Sequence, residues 1–178
     1  MISKLCNYNR RTEFILEILK NLLEENQSQQ ILILGHNRNL LHYLFDAIVD
    51  RNISSVGYYL GGMKEAQLKE SENKKIIIAT YSMASEGLDI KTLSTLIMAT
   101  PKTDICQSVG RILRTNDHEP LIIDIIDSHK IFQNQFNKRK QYYKKNDYNI
   151  IEMNFKKKNK KKQYEDDFEN NKKCLINI

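Results

Sequence analysis

Apolar and polar positions along the chain fall into short blocks of alternating type. Phe14, Ile15, Ile18, Leu19, Leu22 and Leu23 lie at helical spacing between Glu13, Glu17, Lys20 and Glu24, which predicts an amphipathic helix over 14–23. The polar run 25–30 ends it. Residues 31–34, ILIL, form a continuous apolar run stopped by Gly35, the pattern of a strand buried on both faces. Asn37 or Asn39 can cap a second helix with the stripe Leu40, Leu41, Leu44, Phe45, Ile48 and Val49. Residues 55–59 read as a second strand closed by Gly61 and Gly62, 64–72 as a short polar helix, and 76–79 as a third strand. A loop containing Gly87 follows, then a strand at 96–98, a helix near 105–114, and a strand over 121–126 that is apolar except for Asp124. A long basic helix over 129–145 and a final strand at 149–155 complete the series.

Strands alternate with helices through short connections, and the strands are apolar throughout. Together these predict an α/β fold with a mainly parallel sheet covered by helices on both faces. Ligands of such sheets bind at the carboxyl ends of the strands. Hydrophobic residues make up 40% of the 178 and charged residues 28%, as in ordinary globular proteins. No apolar run reaches the roughly 20 residues of a membrane span, and the first residues, MISKLCNYNRRTEF, lack a signal-peptide core. An intracellular protein with no membrane partner is expected; cytoplasm, nucleus and virion are not distinguished. Cys6, Cys106 and Cys174 are isolated and form no CxxC pair, and His36, His42, His118 and His129 complete no zinc-type spacing, so no metal site is expected. The net charge of +6 favours an anionic partner such as nucleic acid.

The richest stretch is 107–114, QSVGRILR. On a helix Gln107, Arg111 and Arg114 share one side, Ile105, Val109, Ile112 and Leu113 can pack inward, and Gly110 leaves bare backbone beside Arg111. Two guanidiniums aimed the same way suit a phosphate group, the alternative being a solvated basic face. Upstream, the strand at 76–79 runs into Thr80 and then an EGLD turn. A threonine hydroxyl and nearby amides can hold a nucleic-acid phosphate. Asp89 can accept from ribose hydroxyls, or serve as an ordinary turn aspartate.

Residues 79–90, ATYSMASEGLDI, resemble motif V of superfamily 2 helicases, and 107–114 resemble their motif VI, QxxGRxxR. Residues 31–38, ILILGHNR, are similar to motif IV, and Gly61-Gly62 falls at the small-residue turn after the next strand. The resemblance covers about 11–150 and is closest in flavour to helicases of large DNA viruses. It implies a RecA-like three-layer domain, the second of the two in such motors. It further implies that Arg111 and Arg114 are arginine fingers acting on ATP with Mg2+, that Gln107, Gly87 and Asp89 lie on the nucleotide side, and that Arg38, Gly61, Gly62 and Thr80 face the nucleic-acid backbone, DNA or RNA.

One part of such a motor is missing. The nearest approach to the phosphate-binding GxxxxGK[ST] is 57–64, GYYLGGMK, in which Met63 stands where the lysine should be. No DExH or DEAD sequence occurs, and 121–127, LIIDIID, reads as the strand after motif VI rather than as a magnesium-binding strand. The chain is therefore expected not to hydrolyse ATP alone, and to need an N-terminal RecA-like domain, in the same or another chain. Alternatives are a non-catalytic module binding nucleic acid or another helicase, and the translocase subunit of a restriction enzyme. Lys138, Arg139, Lys140, Lys144 and Lys145 with Tyr142 and Tyr143 form either a basic aromatic surface for nucleic acid or a solvated helix face. Residues 1–10 read as a lead-in, 11–155 as the domain, and 156–178 as a lysine-rich then acidic flexible tail.

Overall fold

A computed structural model describes residues 9–86, 88–105, 109, 120–154 and 175–177. The elements in chain order are α1 (Asn9–Glu25), β1 (Gln30–Gly35), α2 (Arg38–Asp50), β2 (Val56–Tyr59), α3 (Glu65–Glu72), β3 (Ile76–Thr80), α4 (Tyr81–Glu86), β4 (Leu93–Met98), β5 (Leu121–Asp124), α5 (Lys130–Lys145), β6 (Glu152–Asn154) and β7 (Leu175–Asn177). Five strands form one sheet in the order β2-β3-β1-β4-β5, and every pairing is parallel.

Period-two alternation divides the core between the two faces of this sheet. Ile31, Ile33, Ile76, Ile78, Ile97 and Ile123 point to one face, where Ile15, Leu16 and Leu19 of α1 and Leu40, Leu41 and Leu44 of α2 cover them. Leu32, Leu34, Ile77, Ala79, Leu96, Met98 and Ile122 point to the other, beneath Tyr81 and Ala84 of α4 and Phe136 and Tyr143 of α5. The central strands are therefore apolar over most of their length, with Gln30 and Thr95 as buried polar exceptions, and β1 and β3 are buried from Gln30 to Gly35 and from Ile76 to Ala79. The α/β three-layer architecture agrees with the expectation from sequence.

Local chemistry sets the element ends. The Asn37 side chain accepts from the backbone N–H groups of Asn39 and Leu40, so Asn37, not Asn39, starts α2. Gly57 lets α3 lie against β2, because a Cβ there would come within 2.8 Å of the Ser71 Cβ.

Several features depart from the pattern reading. The segment after β3, read as a loop, opens with α4: Thr80 Oγ1 accepts from the Met83 N–H at 3.4 Å, and Ser85 donates to the Tyr81 carbonyl. Strand β5 stops at Asp124, although Ile125 and Ile126 remain buried. Of the helix expected over 105–114, only Ile105 and Val109 are described, and the Val109 N–H donates to the Ile105 carbonyl at 2.8 Å as in a helical turn. Leu175–Asn177, inside the stretch read as tail, pairs in parallel with β6. Most of that stretch, 155–174, lies outside the described residues.

Candidate nucleic-acid interface

The carboxyl ends of β1, β2, β3 and β4 meet around a recess of about 450 Å³ lined by Gly35, His36, Arg38, Gly61, Thr80, Tyr81, Ser82 and Lys102. Arg38 opens α2, and its Nη2 donates to the Gly61 carbonyl at 3.1 Å, linking the loops after β1 and β2. Gly62 has φ +90°, a left-handed conformation that glycine adopts without penalty and that turns the chain back toward α3. Thr80 Oγ1 and Ser82 Oγ stand 3.1 Å apart at the end of β3.

Tyr81 lines the recess, and the buried Thr100 bonds to it and to His36. The buried Tyr81 hydroxyl donates to the Thr100 carbonyl at 2.6 Å, and burial pushes its pKa up, so it stays neutral. Thr100 Oγ1 accepts from the His36 backbone N–H at 3.0 Å and lies 2.9 Å from His36 Nδ1. The His36 ring rests 4.6 Å from the Tyr81 ring, and the Lys102 ammonium sits 4.9 Å above the same ring. Burial, then the nearby Lys102 charge, lowers the His36 pKa, favouring the neutral imidazole. The recess thus offers a guanidinium, an ammonium and a pair of hydroxyls, a donor set matched to a phosphodiester oxygen.

Of the residues expected to face nucleic acid, Arg38, Gly61 and Thr80 line this recess, and Gly62 adjoins it. Asp89 lies elsewhere: it is exposed between the buried Leu88 and Ile90 and is not among the lining residues. Gly87, Gln107, Arg111 and Arg114 lie outside the described residues. His36, Ser82 and Lys102 were not singled out by sequence, although each stands just past a strand, where the carboxyl-edge rule directs attention.

One expectation is overturned. Arg139 and Tyr143, read as part of an exposed basic and aromatic face, are each only 1% exposed. Arg139 Nε and Nη2 donate to the two Asp124 carboxylate oxygens at 2.7 and 2.8 Å, and the Tyr143 hydroxyl donates to Asp124 Oδ2 at 3.2 Å. Phe132, Phe136, Arg139 and Tyr143 fall at helical spacing and form the buried face of α5, so Arg139 is drawn in with its aromatic neighbours. Burial opposes its charge, but the Asp124 carboxylate prevails and holds its pKa above the ordinary value. Asp127 likewise accepts from Arg11 Nε at 2.9 Å. Each of these carboxylates, at and just after the end of β5, therefore accepts from a buried arginine.

Residues 15–116 match the model of the helicase conserved C-terminal domain. The chain belongs to that family. It is 40% identical over its whole length to the mimivirus protein named "Putative ATP-dependent RNA helicase L396" (Acanthamoeba polyphaga mimivirus), covering 35% of that relative. It is 29% identical over 71% of its length to the QP509L protein of African swine fever virus, whose name has the same wording, covering 27% of it. The chain thus spans about a third of the length of these curated relatives. Among solved structures, T4 UvsW superposes with a TM-score of 0.67 at 21% identity over 84% of this chain and 35% of its own. The C-terminal domain of the DEAD-box protein Dbp5 does so at 0.57 and 19% identity over 72% and 76%. These similarities establish the fold of a RecA-like helicase C-terminal domain.

Proposed function

We propose that this helicase C-terminal domain is the second motor domain of an ATP-dependent nucleic-acid helicase or translocase, and that its carboxyl-edge recess grips the backbone of the tracked strand. The reading rests on one observation above all: Arg38 after β1, the Gly61 turn after β2, Thr80 and Ser82 at the end of β3 and Lys102 after β4 converge on a single recess. Three chain-distant segments supply the donors, and the carbonyl of a fourth, Gly61, holds the Arg38 guanidinium in place, an arrangement suited to gripping a phosphate at a sheet edge. Contacts of this kind fix the position of a strand without reading its sequence, and they weaken steeply with salt.

In this reading Arg111 and Arg114 reach across to ATP held with Mg2+ by an N-terminal RecA-like domain, where they stabilise charge on the transferring γ-phosphate. Gln107, Gly87 and Asp89 complete the nucleotide-facing side. The sequence carries no GxxxxGK[ST] loop, and among the described residues Asp124 and Asp127 both accept from arginines, so in this reading hydrolysis draws on the second domain. Support comes from the family membership, the motif spacing and the commitment of Asp124 and Asp127 to arginines.

The test combines this chain with an N-terminal RecA-like domain carrying the phosphate loop and measures ATPase activity with DNA and with RNA. Stimulated hydrolysis is expected, with Arg114→Ala lowering kcat by about 10³-fold or more while nucleic-acid affinity is retained. A pair inactive on both nucleic acids would overturn the motor reading and leave a non-catalytic binding module.

A further inference from the structure

Two buried arginines approach the carboxyl end of β4 from opposite faces of the sheet. Arg11, in the first turn of α1, is 2% exposed; its Nη1 donates to the Ala99 carbonyl at 2.5 Å and its Nε to Asp127 Oδ1 at 2.9 Å. Arg139, on α5, donates through Nη1 to the Lys102 carbonyl at 2.7 Å and through Nε and Nη2 to Asp124. Each guanidinium therefore bridges a main-chain carbonyl just after β4 to a carboxylate at or just after β5. The chain between those anchor points includes Gln107, Arg111 and Arg114.

A neutral or apolar arrangement would suffice if only the core needed filling. Taking charge into the interior is costly, and replacing buried ion pairs by well-packed apolar groups is often neutral or stabilising. What an arginine adds is a rigid planar fork of donors that fixes several partners at set distances and angles. Here the fork joins the two ends of a connection whose chemistry depends on placement.

We infer that Arg11 and Arg139 are positioning residues: they staple the exit of β4 to the end of β5 and so fix the base from which Arg111 and Arg114 act. The inference rests on the proposed motor function and deepens it. The stapled segment also reaches the nucleic-acid recess. Thr100 and Lys102 lie between or at the anchored carbonyls, and the Lys102 side chain lines the recess. One braced stretch of backbone therefore connects the strand-gripping side chains to the segment carrying the arginine fingers.

Arg139→Met alone leaves Asp124 buried and unpaired and can fail to fold, so the deciding variant is the apolar triple Arg139→Met, Asp124→Leu, Tyr143→Phe. It removes the charge, its partner and the hydroxyl that depends on them. Paired with the N-terminal domain, the triple variant is expected to keep a near wild-type melting temperature and nucleic-acid affinity. Its kcat is expected to fall by about 10²-fold, the order of loss from an angstrom-scale misplacement, with KM for ATP little changed. In the chain alone, amides of residues 99–105 are expected to exchange with deuterium faster than in the wild type, while those of β1 and β3 do not change. A folded triple variant with wild-type kcat, or with unchanged exchange in 99–105, overturns the staple while leaving the motor function intact. An inactive wild-type pair overturns the motor function, and this inference with it.

Discussion

Arg38 and Arg139 are the same side chain in opposite circumstances, and the contrast separates the two halves of the sheet's carboxyl edge. Arg38 is exposed and, among the described contacts, makes one hydrogen bond, to the Gly61 carbonyl; the rest of its guanidinium faces the recess. Arg139 is 1% exposed, and Nε, Nη1 and Nη2 all have partners. Water already solvates Arg38, so exchanging that water for a phosphate oxygen costs little desolvation. Arg139 could not make the same exchange without breaking its bond to Asp124. The half made by β1, β2 and β3 therefore keeps an exposed guanidinium able to exchange water for a ligand, whereas the half made by β4 and β5 commits its arginine to holding shape.

Substituting each arginine tests the division most sharply. Arg139→Met should cost about 3–5 kcal/mol of folding stability, because it strands the Asp124 carboxylate in the interior. Arg38→Met should stay within about 0.5 kcal/mol of the wild type. Urea unfolding followed by circular dichroism gives both values, and equal losses would erase the distinction.

The two staples differ as well. Asp124 has both oxygens engaged, whereas Arg11 Nη2 and Asp127 Oδ2 are buried without a hydrogen-bond partner. Asp127→Asn should therefore cost less than Asp124→Asn, about 1–3 kcal/mol. Burial raises the Asp127 pKa above 3.8, Arg11 pulls it back, and Asp124 adds to the rise. A folded-state pKa above the unfolded one means that the native state holds more protons in the interval between them. The contribution of Asp127 to stability then declines as pH rises through that interval, and Asp127→Asn should lack the decline. Paired unfolding curves across the acid range check it.

Lys102 sits where the halves join, with its carbonyl held by Arg139 and its ammonium on the recess. Lys102→Met should leave stability within about 0.5 kcal/mol. It should also reduce the salt dependence of nucleic-acid binding by about one unit of slope, since one phosphate neutraliser is lost. An unchanged slope would place Lys102 outside the interface.

The pattern of the sequence carried the architecture a long way. Continuous apolar runs of four or five residues, rich in isoleucine and bounded by turn residues, pointed to strands covered on both sides, and the helix stripes named residues that cover them. Arg38, Gly61 and Thr80 could be placed together before any geometry because each follows a strand in a resembling motif. His36 and Lys102 could not, since their value arises from sharing the Tyr81 ring across a fold that brings β1, β3 and β4 together. The error at Arg139 is instructive. A basic residue among lysines looks like surface, yet its spacing with Phe132, Phe136 and Tyr143, set against a lone aspartate in an apolar strand, carried the signal of a buried pair. The helix α4 was hidden for a different reason, because six residues are too few to show a period.

The smallest expected effect concerns pH at the recess. Burial and then the Lys102 charge hold the His36 pKa below 6.5. Between the lowered value and the ordinary one the unfolded chain binds more protons than the native state, so His36 removes stability as pH falls through 6.5. A bound phosphate acts in the opposite sense, because its negative charge favours the imidazolium. Binding should therefore take up a proton, and nucleic-acid affinity should strengthen modestly between about pH 8 and about pH 6. His36→Gln should flatten that dependence without altering the fold. Lys102→Met should move the ring's titration upward, because one source of the depression is gone, and an NMR titration of the His36 ring measures this directly. If the wild-type affinity does not change with pH while the ring titrates normally, then the phosphate does not approach His36, and the recess must be entered from the Arg38 side alone.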